Sequence, residues 1–210
     1  MGRDGLFDTL RKAHLLVHPK RCYRKTTNSK HWMFKHPNLI KDKPKPDKAE
    51  QLWVADVTYI DTERQTGYLS LITDAYSRKV VGYHLHPNLH TDGVMQALKA
   101  AVRQRCTTRN LIHHSDRGLQ YCSQAYQRIH QRHGIVCSMT DGYDCYQNAM
   151  AERVNGILKT EFLTSKPKDL VQAAKMIQQA ITTYNCERPH LALKYKTPDA
   201  VHRASVCSPY

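Results

Sequence analysis

One nine-residue run, Leu52 to Ile60 (LWVADVTYI), limits what this chain can become more than any other stretch. Both of its alternating faces are apolar, β-branched or aromatic, the pattern of a central strand covered on both sides. Asp56 interrupts it. A carboxylate in such a strand is costly unless something compensates for it. A buried Arg or Lys, a hydrogen-bonded structural role and a metal ion are the three ways to do so.

The segments that follow suit layers around that strand. Tyr68 to Thr73 and Lys79 to His86 are predicted strands, and three strands in succession suggest an antiparallel meander. Asp74 falls with Ser77 and Arg78 in the connection and is read as a turn residue. Thr91 and Asp92 open a helix whose Val94, Ala97, Leu98, Ala101 and Val102 form an apolar stripe ending near Arg105. Leu111 and Ile112, with His113 and His114, make a short strand running into Ser115-Asp116-Arg117-Gly118. An acid at a strand's carboxyl end, beside a turn glycine, is where α/β folds place reactive groups. Gln124 to His133 reads as a helix stopped by Gly134, and Ile135 to Met139 as a strand. Thr140 to Tyr146 is a polar loop.

Within Asp144 to Leu163, Asn148 is placed to cap a helix. Met150, Val154, Ile157 and Leu158 cluster on one side, and Glu152, Asn155, Gly156 and Lys159 on the other. Glu152 sits in the first turn, where the helix dipole favours an ionised carboxylate. Asp169 to Tyr184 is a further helix, with Leu170, Ala173, Ala174, Ile177, Ile181 and Tyr184 at helical spacing. Asn185, Arg188-Pro189-His190 and Thr197-Pro198 then read as a surface tail whose Arg188 and His190 can meet phosphate.

The charge points to a polyanionic partner. Thirty-two Lys and Arg against 18 Asp and Glu give +14 over 210 residues, which makes nucleic acid the leading partner class. Residues 1–50 hold 13 of the basic residues and 5 of the acidic ones. They comprise an amphipathic helix over Gly5 to Val17, a cationic stretch, and a proline-containing linker over 37–50. No apolar run reaches the length of a membrane span and no signal-peptide core is present, so a cytoplasmic, nucleoid-associated protein is expected. The seven cysteines are scattered and odd in number, so reduced thiols are expected. His14, His18 and Cys22 have a spacing that zinc could use, but no second ligand pair follows.

The elements therefore run strand, strand, strand, helix, strand, helix, strand, helix, helix. Acids lie on the first strand, after the fourth and on a late helix. Three separated carboxylates could meet at one end of the sheet, an unfavourable cluster without a cation. Oxygen ligands with no soft partner favour Mg²⁺ or Mn²⁺. Two such ions can activate a nucleophile and stabilise the leaving oxygen of a displacement at phosphorus.

Four stretches in order carry a family resemblance: W-V-A-D-V-T-Y-I at 53–60, H-S-D-R-G-L-Q-Y at 114–121, N-A-M-A-E-R-V-N-G-I-L-K-T-E at 148–161, and Y-N-C-E-R-P-H-L-A-L with T-P at 184–198. Thirty-five residues separate Asp116 from Glu152. The chain resembles the DDE transposases of bacterial insertion sequences, whose catalytic core is related to retroviral integrases. The resemblance implies a ribonuclease H-like α/β fold, a mixed five-stranded sheet flanked by helices, over 51–203. It also implies a basic N-terminal extension over 1–50 that holds the end of a helix-turn-helix region, and a tail over 204–210. Asp56, Asp116 and Glu152 are implied as the catalytic, metal-binding triad, with two Mg²⁺ or Mn²⁺ ions per site. Water or a DNA 3′-hydroxyl would be the nucleophile.

Contacts to DNA are expected from Arg117, Gln120, Tyr121, Arg153, Asn155, Lys159, Arg188 and His190, in a homo-oligomer assembled on element ends and target. Glu161 lies on the helix face opposite Glu152 and is set aside. The loop before the last acid departs from the family pattern at Gln147 and Gly142. The chain is also expected to begin inside a longer DNA-recognition region, as products completed by frameshifting do. That leaves a second reading, a truncated DNA-binding fragment or regulator that keeps the fold.

Overall fold

The tract around Asp56 is the middle strand of the sheet, as its two-sided apolar character requires. In the computed structural model, which describes residues 2–13, 15–16, 31–41, 43–141 and 148–207, five strands form a single sheet. They are β1 (Leu52–Asp61), β2 (Thr66–Asp74), β3 (Val80–His86), β4 (Leu111–Ser115) and β5 (Ile135–Met139), in the order β3-β2-β1-β4-β5. The first three form the expected antiparallel meander, and β4 and β5 add parallel to β1. The change from antiparallel to parallel requires a crossover. Helix α2 (Thr91–Gln104) supplies it between β3 and β4, and α3 (Leu119–Cys122) with α4 (Gln124–Arg132) supplies it between β4 and β5.

Strand alternation divides the side chains between two cores. Trp53, Ala55 and Val57 of β1 face α2 through Val94, Ala97, Leu98 and Ala101, with Tyr121 and Tyr126 closing that layer. On the opposite face Ile60, Leu69, Leu71 and Val80 meet Val154 and Ile157 of α5 (Ala149–Ile157), and Ala173, Ile177 and Ile181 of α6 (Leu170–Cys186). Gly82 on β3 permits the close approach of α2. A Cβ there would stand 2.4 Å from the Ala97 carbonyl oxygen and 2.7 Å from the Ala101 Cβ.

The C-terminal helices are tied on by polar groups as well. The Asn185 amide accepts from the Val80 N–H (2.9 Å) and donates to the Val80 carbonyl (3.0 Å), occupying β3's outer edge. Tyr184 donates its hydroxyl hydrogen to the Arg78 carbonyl (3.0 Å). The expected surface tail is in fact a helix, α7 (Pro198–Cys207), with Pro198 and His202 buried. Pro198 is its first residue, where a proline's fixed φ and missing N–H suit helix initiation, so this proline starts a helix. Lys79 binds Asp199 at 2.8 Å, which docks α7 against the β2–β3 turn.

In the N-terminal part, α1 (Arg3–Lys12) buries no residue. Residues 43–48 form no regular structure. Ala49 and Glu50 at the end of the expected linker are buried, however, and the Glu50 carboxylate accepts from the N–H groups of Cys106 (2.9 Å) and Thr107 (2.7 Å). Residues 31–41 lie along β5, where the Met139 N–H donates to the Pro37 carbonyl (3.3 Å) and the Leu39 N–H to Ser138 Oγ (2.9 Å). Among the described residues no helix is long and apolar enough to cross a membrane, and Cys106, Cys122, Cys137, Cys186 and Cys207 are free thiols. His14, His18, Cys22, Cys145, Gly142 and Gln147, on which sequence expectations rest, fall outside the described residues.

Candidate active site

Two of the acids meet because of strand register. β1 and β4 pair in parallel as Leu52 with Ile112, Trp53 with His113 and Val54 with His114. Carried two residues further, the same register sets Asp116 beside Asp56, and alternation turns both toward α5. Asp116 follows the last residue of β4, where the chain leaves the sheet. Its Oδ1 accepts from the Gly118 N–H at 2.9 Å. A Cβ on Gly118 would come within 3.0 Å of that same oxygen and 2.8 Å of Gln120 Oε1, so a larger residue here would push on the Asp116 and Gln120 side chains.

Helix α5 lies over β1 and is fastened there by two buried amides. Asn148 occupies the N-cap position, but its side chain does not cap the helix; it donates to the Ala55 carbonyl at 3.0 Å. Two turns later Asn155 donates to Asp56 Oδ2 at 2.7 Å. Glu152 stands between them on the same helix face, solvent-exposed in the first turn. The sequence pattern placed Asn155 on a DNA-facing surface. The structure buries it against Asp56, because the polar side of α5 faces the carboxylates rather than open water.

The electrostatics show a site under strain. Burial, followed by the Asp116 charge, pushes Asp56 up to about 7, against the opposing hydrogen bonds of the Val57 N–H and Asn155. Burial and then Asp116 raise Glu152 as well. Lys159 lies in the π-helical turn Leu158–Phe162 that extends α5, with Nζ 3.8 Å from the centroid of the Tyr59 ring. Burial lowers its proton affinity, while Asp61 and Asp56 oppose the shift. π-Turns of this kind often occur at functional sites.

Other expected contacts are distributed differently. Arg153 is exposed on α5 and Arg117 is half-buried beside Asp116. Gln120 and Tyr121 were expected to face DNA, yet both are buried. Their short helix turns inward, and Tyr121 stacks edge-on against Tyr126 at 5.5 Å in the core opposite the acids. Arg188 makes a two-pronged ion pair with Glu161, 2.7 Å on each prong, and its Nη1 lies 3.3 Å from His190 Nε2. The expected placement of Glu161 on the apolar helix face does not hold: it lies in the π-turn, exposed, with Arg188 as partner. Asp74 is a turn residue, its carboxylate accepting from the Ser77 N–H, the Ser77 hydroxyl and the Glu50 N–H. The anchoring roles of Asn148 and Asn185 were not foreseen. The only sequence signal for the first was its position on the Glu152 side of α5.

The donor chemistry at Asp56, Asp116 and Glu152 suits a hard cation: oxygen atoms alone, with one carboxyl already driven toward neutrality by burial and then by the Asp116 charge. Among the described residues no three His, Cys, Asp or Glu side chains already stand close enough to hold an ion. Glu152 is the exposed member of the three.

Comparisons with known proteins agree with this architecture. The Integrase core domain family matches residues 46–145, and a second family of the same description matches 133–198. The insertion element IS600 31 kDa protein of Shigella sonnei is 36% identical over 202 residues, covering 95% of this chain and 74% of the relative. The transposase for insertion sequence element IS904 of Lactococcus lactis is 30% identical, covering 92% and 80%. Transposase InsF for insertion sequence IS3A of Escherichia coli is 33% identical over 73% of this chain, which spans 53% of that relative. In fold, the chain superposes on a chain of a simian T-cell lymphotropic virus intasome with TM-score 0.67 at 19% identity, over 100% of this chain and 73% of that one. The HTLV-2 integrase catalytic core domain, solved in complex with magnesium, superposes with TM-score 0.60 at 20% identity, over 75% and 99%.

Proposed function

The chain belongs to the integrase-core family of insertion-sequence DNA transposases, and on that footing we propose that Asp56, Asp116 and Glu152 form its catalytic centre for DNA cleavage and strand transfer. The carrying observation is that Asp56 on β1 and Asp116, just past the paired end of β4, lie close enough for the Asp116 charge to add to the burial that pushes Asp56 up to about 7. A pair of carboxylates in this condition gains most from a divalent cation.

Asp56, Asp116 and Glu152 would hold two Mg²⁺ or Mn²⁺ ions. Bound there, the metal would neutralise developing charge and acidify an attacking hydroxyl. The protein's own part is positioning. Asn155 fixes Oδ2 of Asp56, and the Gly118 N–H fixes Oδ1 of Asp116, so each carboxylate enters the site already oriented. Lys159 and Arg153 supply positive charge for the DNA backbone at the same face. Arg117 does so from the β4–α3 loop, while Arg188, itself paired with Glu161, and the His190 ring, which burial holds below its ordinary proton affinity, offer hydrogen bonds to phosphate from the segment after α6. The oxygen of water or a 3′-hydroxyl attacks phosphorus, the opposite P–O bond breaks, and the leaving 3′-oxygen takes up a proton. No covalent bond to the protein forms. Bringing two element ends together calls for more than one copy of the chain.

The test is incubation of the full chain with DNA carrying the element's ends and Mg²⁺. Cleavage and joining are expected, with Asp116→Asn lowering the rate by roughly 10³-fold. The truncated-regulator reading is not favoured, since the relatives include the IS904 and IS3A transposases and all three carboxylates are present. Tight DNA binding without metal-dependent cleavage by the unaltered chain would reinstate it.

A further inference from the structure

The most exposed aromatic side chains of the described structure lie close together on one extended segment. Trp32 is 91% exposed and Phe34 73%, whereas Met33 between them turns inward and packs against the core beneath α2. An indole left in water forfeits a large burial gain, so a solvent-facing Trp and Phe one residue apart mark a contact surface. The segment is held in place on both sides. His31 Nε2 lies 2.8 Å from the Arg117 carbonyl, Lys35 Nζ donates to the His31 carbonyl at 2.9 Å, and Pro37 and Leu39 are bonded to β5. The contact with Arg117 ties the rings to the loop that carries Asp116.

Charge selects the occupant. Residues 31–41 contain no acid and carry Lys35 with two histidines, Lys41 pairs with Asp141 at 3.3 Å, and His31 meets the backbone carbonyl of Arg117. A second copy of a chain with net charge +14 would be repelled from this surface, whereas a polyanion would be drawn to it. Among polyanions, one with flat π-faces also uses the rings. We propose that Trp32 and Phe34 form a stacking platform for unpaired bases of the DNA strand whose backbone passes the Asp56–Asp116 pair, with Lys35 and Arg117 contacting its phosphates. This rests on the function proposed above and adds the substrate form it acts on, a locally unpaired strand. Stacking is tolerant of base identity, so the platform holds the strand without reading its sequence.

The chain carries its own reporter. It has two tryptophans, and Trp53 is 0% exposed, so quenching of indole emission by acrylamide reports Trp32. A short mixed-sequence single-stranded oligonucleotide is expected to quench that emission and shield it from acrylamide. Replacing both rings, Trp32→Leu with Phe34→Leu, should weaken single-strand binding about tenfold. Trp32→Tyr should restore part of it, and the blunt duplex of the same sequence should bind all variants alike. Both side chains are largely in solvent, and circular dichroism checks that the variants fold. Trp32 remaining open to acrylamide with the oligonucleotide bound would overturn the platform. So would emission that depends on protein concentration without DNA, which would place a second copy on these rings. Cleavage of element-end DNA, followed on the same samples, separates the two readings. Cleavage without shielding overturns the platform alone, and shielding without cleavage overturns the catalytic assignment alone.

Discussion

Trp53 and Asp56 of β1, like His113 of β4 and Asp116 just beyond it, lie three residues apart, yet they face opposite layers and handle charge in opposite ways. Beneath α2, His113 is fully buried among Tyr121, Tyr126 and His130, with its ring 4.9 Å from that of His130 and Nε2 3.2 Å from the Tyr126 hydroxyl. Burial drives His113 well below its ordinary proton affinity and lowers His130 to about 4, with His36 adding to the effect on His130. Both rings are neutral near pH 7. Beneath α5 the same physical cause acts on acids and brings Asp56 up to about 7, half-way between its two forms at neutral pH. Desolvation therefore has different consequences on the two faces. It silences a base, but it leaves a carboxylate pair in need of a cation.

The comparison is broken most directly at Asp56. Asp56→Asn should lower metal-dependent cleavage by roughly 10³-fold. In metal-free protein it should raise stability by about 1 kcal/mol, since it removes a like charge from a crowded, half-buried site that water only partly screens. Cleavage assays beside thermal melts check this, and a fall in both activity and melting temperature would make Asp56 a structural residue.

Acid titration sharpens the other side. His113 and His130 have folded-state values below the unfolded 6.5, so between about 6.5 and 4 the unfolded chain binds protons that the folded chain refuses. Their contribution is intact above the unfolded value and is lost as pH falls through that window, by about 1.4 kcal/mol per pH unit for each fully linked group. Urea unfolding at pH 7.5 and 5.5 should show the loss, and His130→Phe should flatten it. An unchanged slope would mean that other groups carry the acid sensitivity.

The smallest effect is expected at a polar contact with no charge. Asn185→Ala leaves the Val80 N–H and carbonyl without their partner and should cost about 2 kcal/mol, equally at both pH values. A pH-dependent cost would show that this edge is coupled to the titrating groups.

Much of the fold was legible in the sequence because alternation and helical spacing are local signals. The strand over 52–60, the meander and the α2 stripe all follow from residues within one element. The three candidate acids were singled out by their places on a buried strand, at a strand end and in a first helical turn, and their joint role rests on the function proposed above. The misreadings share a cause: they concern side chains whose surroundings come from distant parts of the chain. Gln120 and Tyr121 looked available because they follow Asp116, but their short helix turns toward Tyr126. Asn155 looked solvent-facing because it lies opposite Val154 and Leu158, but the polar side of α5 is pressed onto β1. Pro198 looked like part of a surface tail, although a proline can begin a helix and here does.

By itself the sequence determined the class of fold and the chemistry available to it. An apolar strand interrupted by Asp56, two further acids at reactive places and a large positive charge leave few other uses for the chain. Only the tertiary structure decided which groups meet. The parallel register of β1 and β4 sets Asp116 beside Asp56, two amides of α5 lock that helix over the pair, and the anchored 31–41 segment leaves Trp32 and Phe34 facing water beside the same loop. The reason is one of range. Periodicity acts over a few residues, whereas electrostatic stress and hydrogen-bond partnership depend on distances between elements that are far apart in the chain.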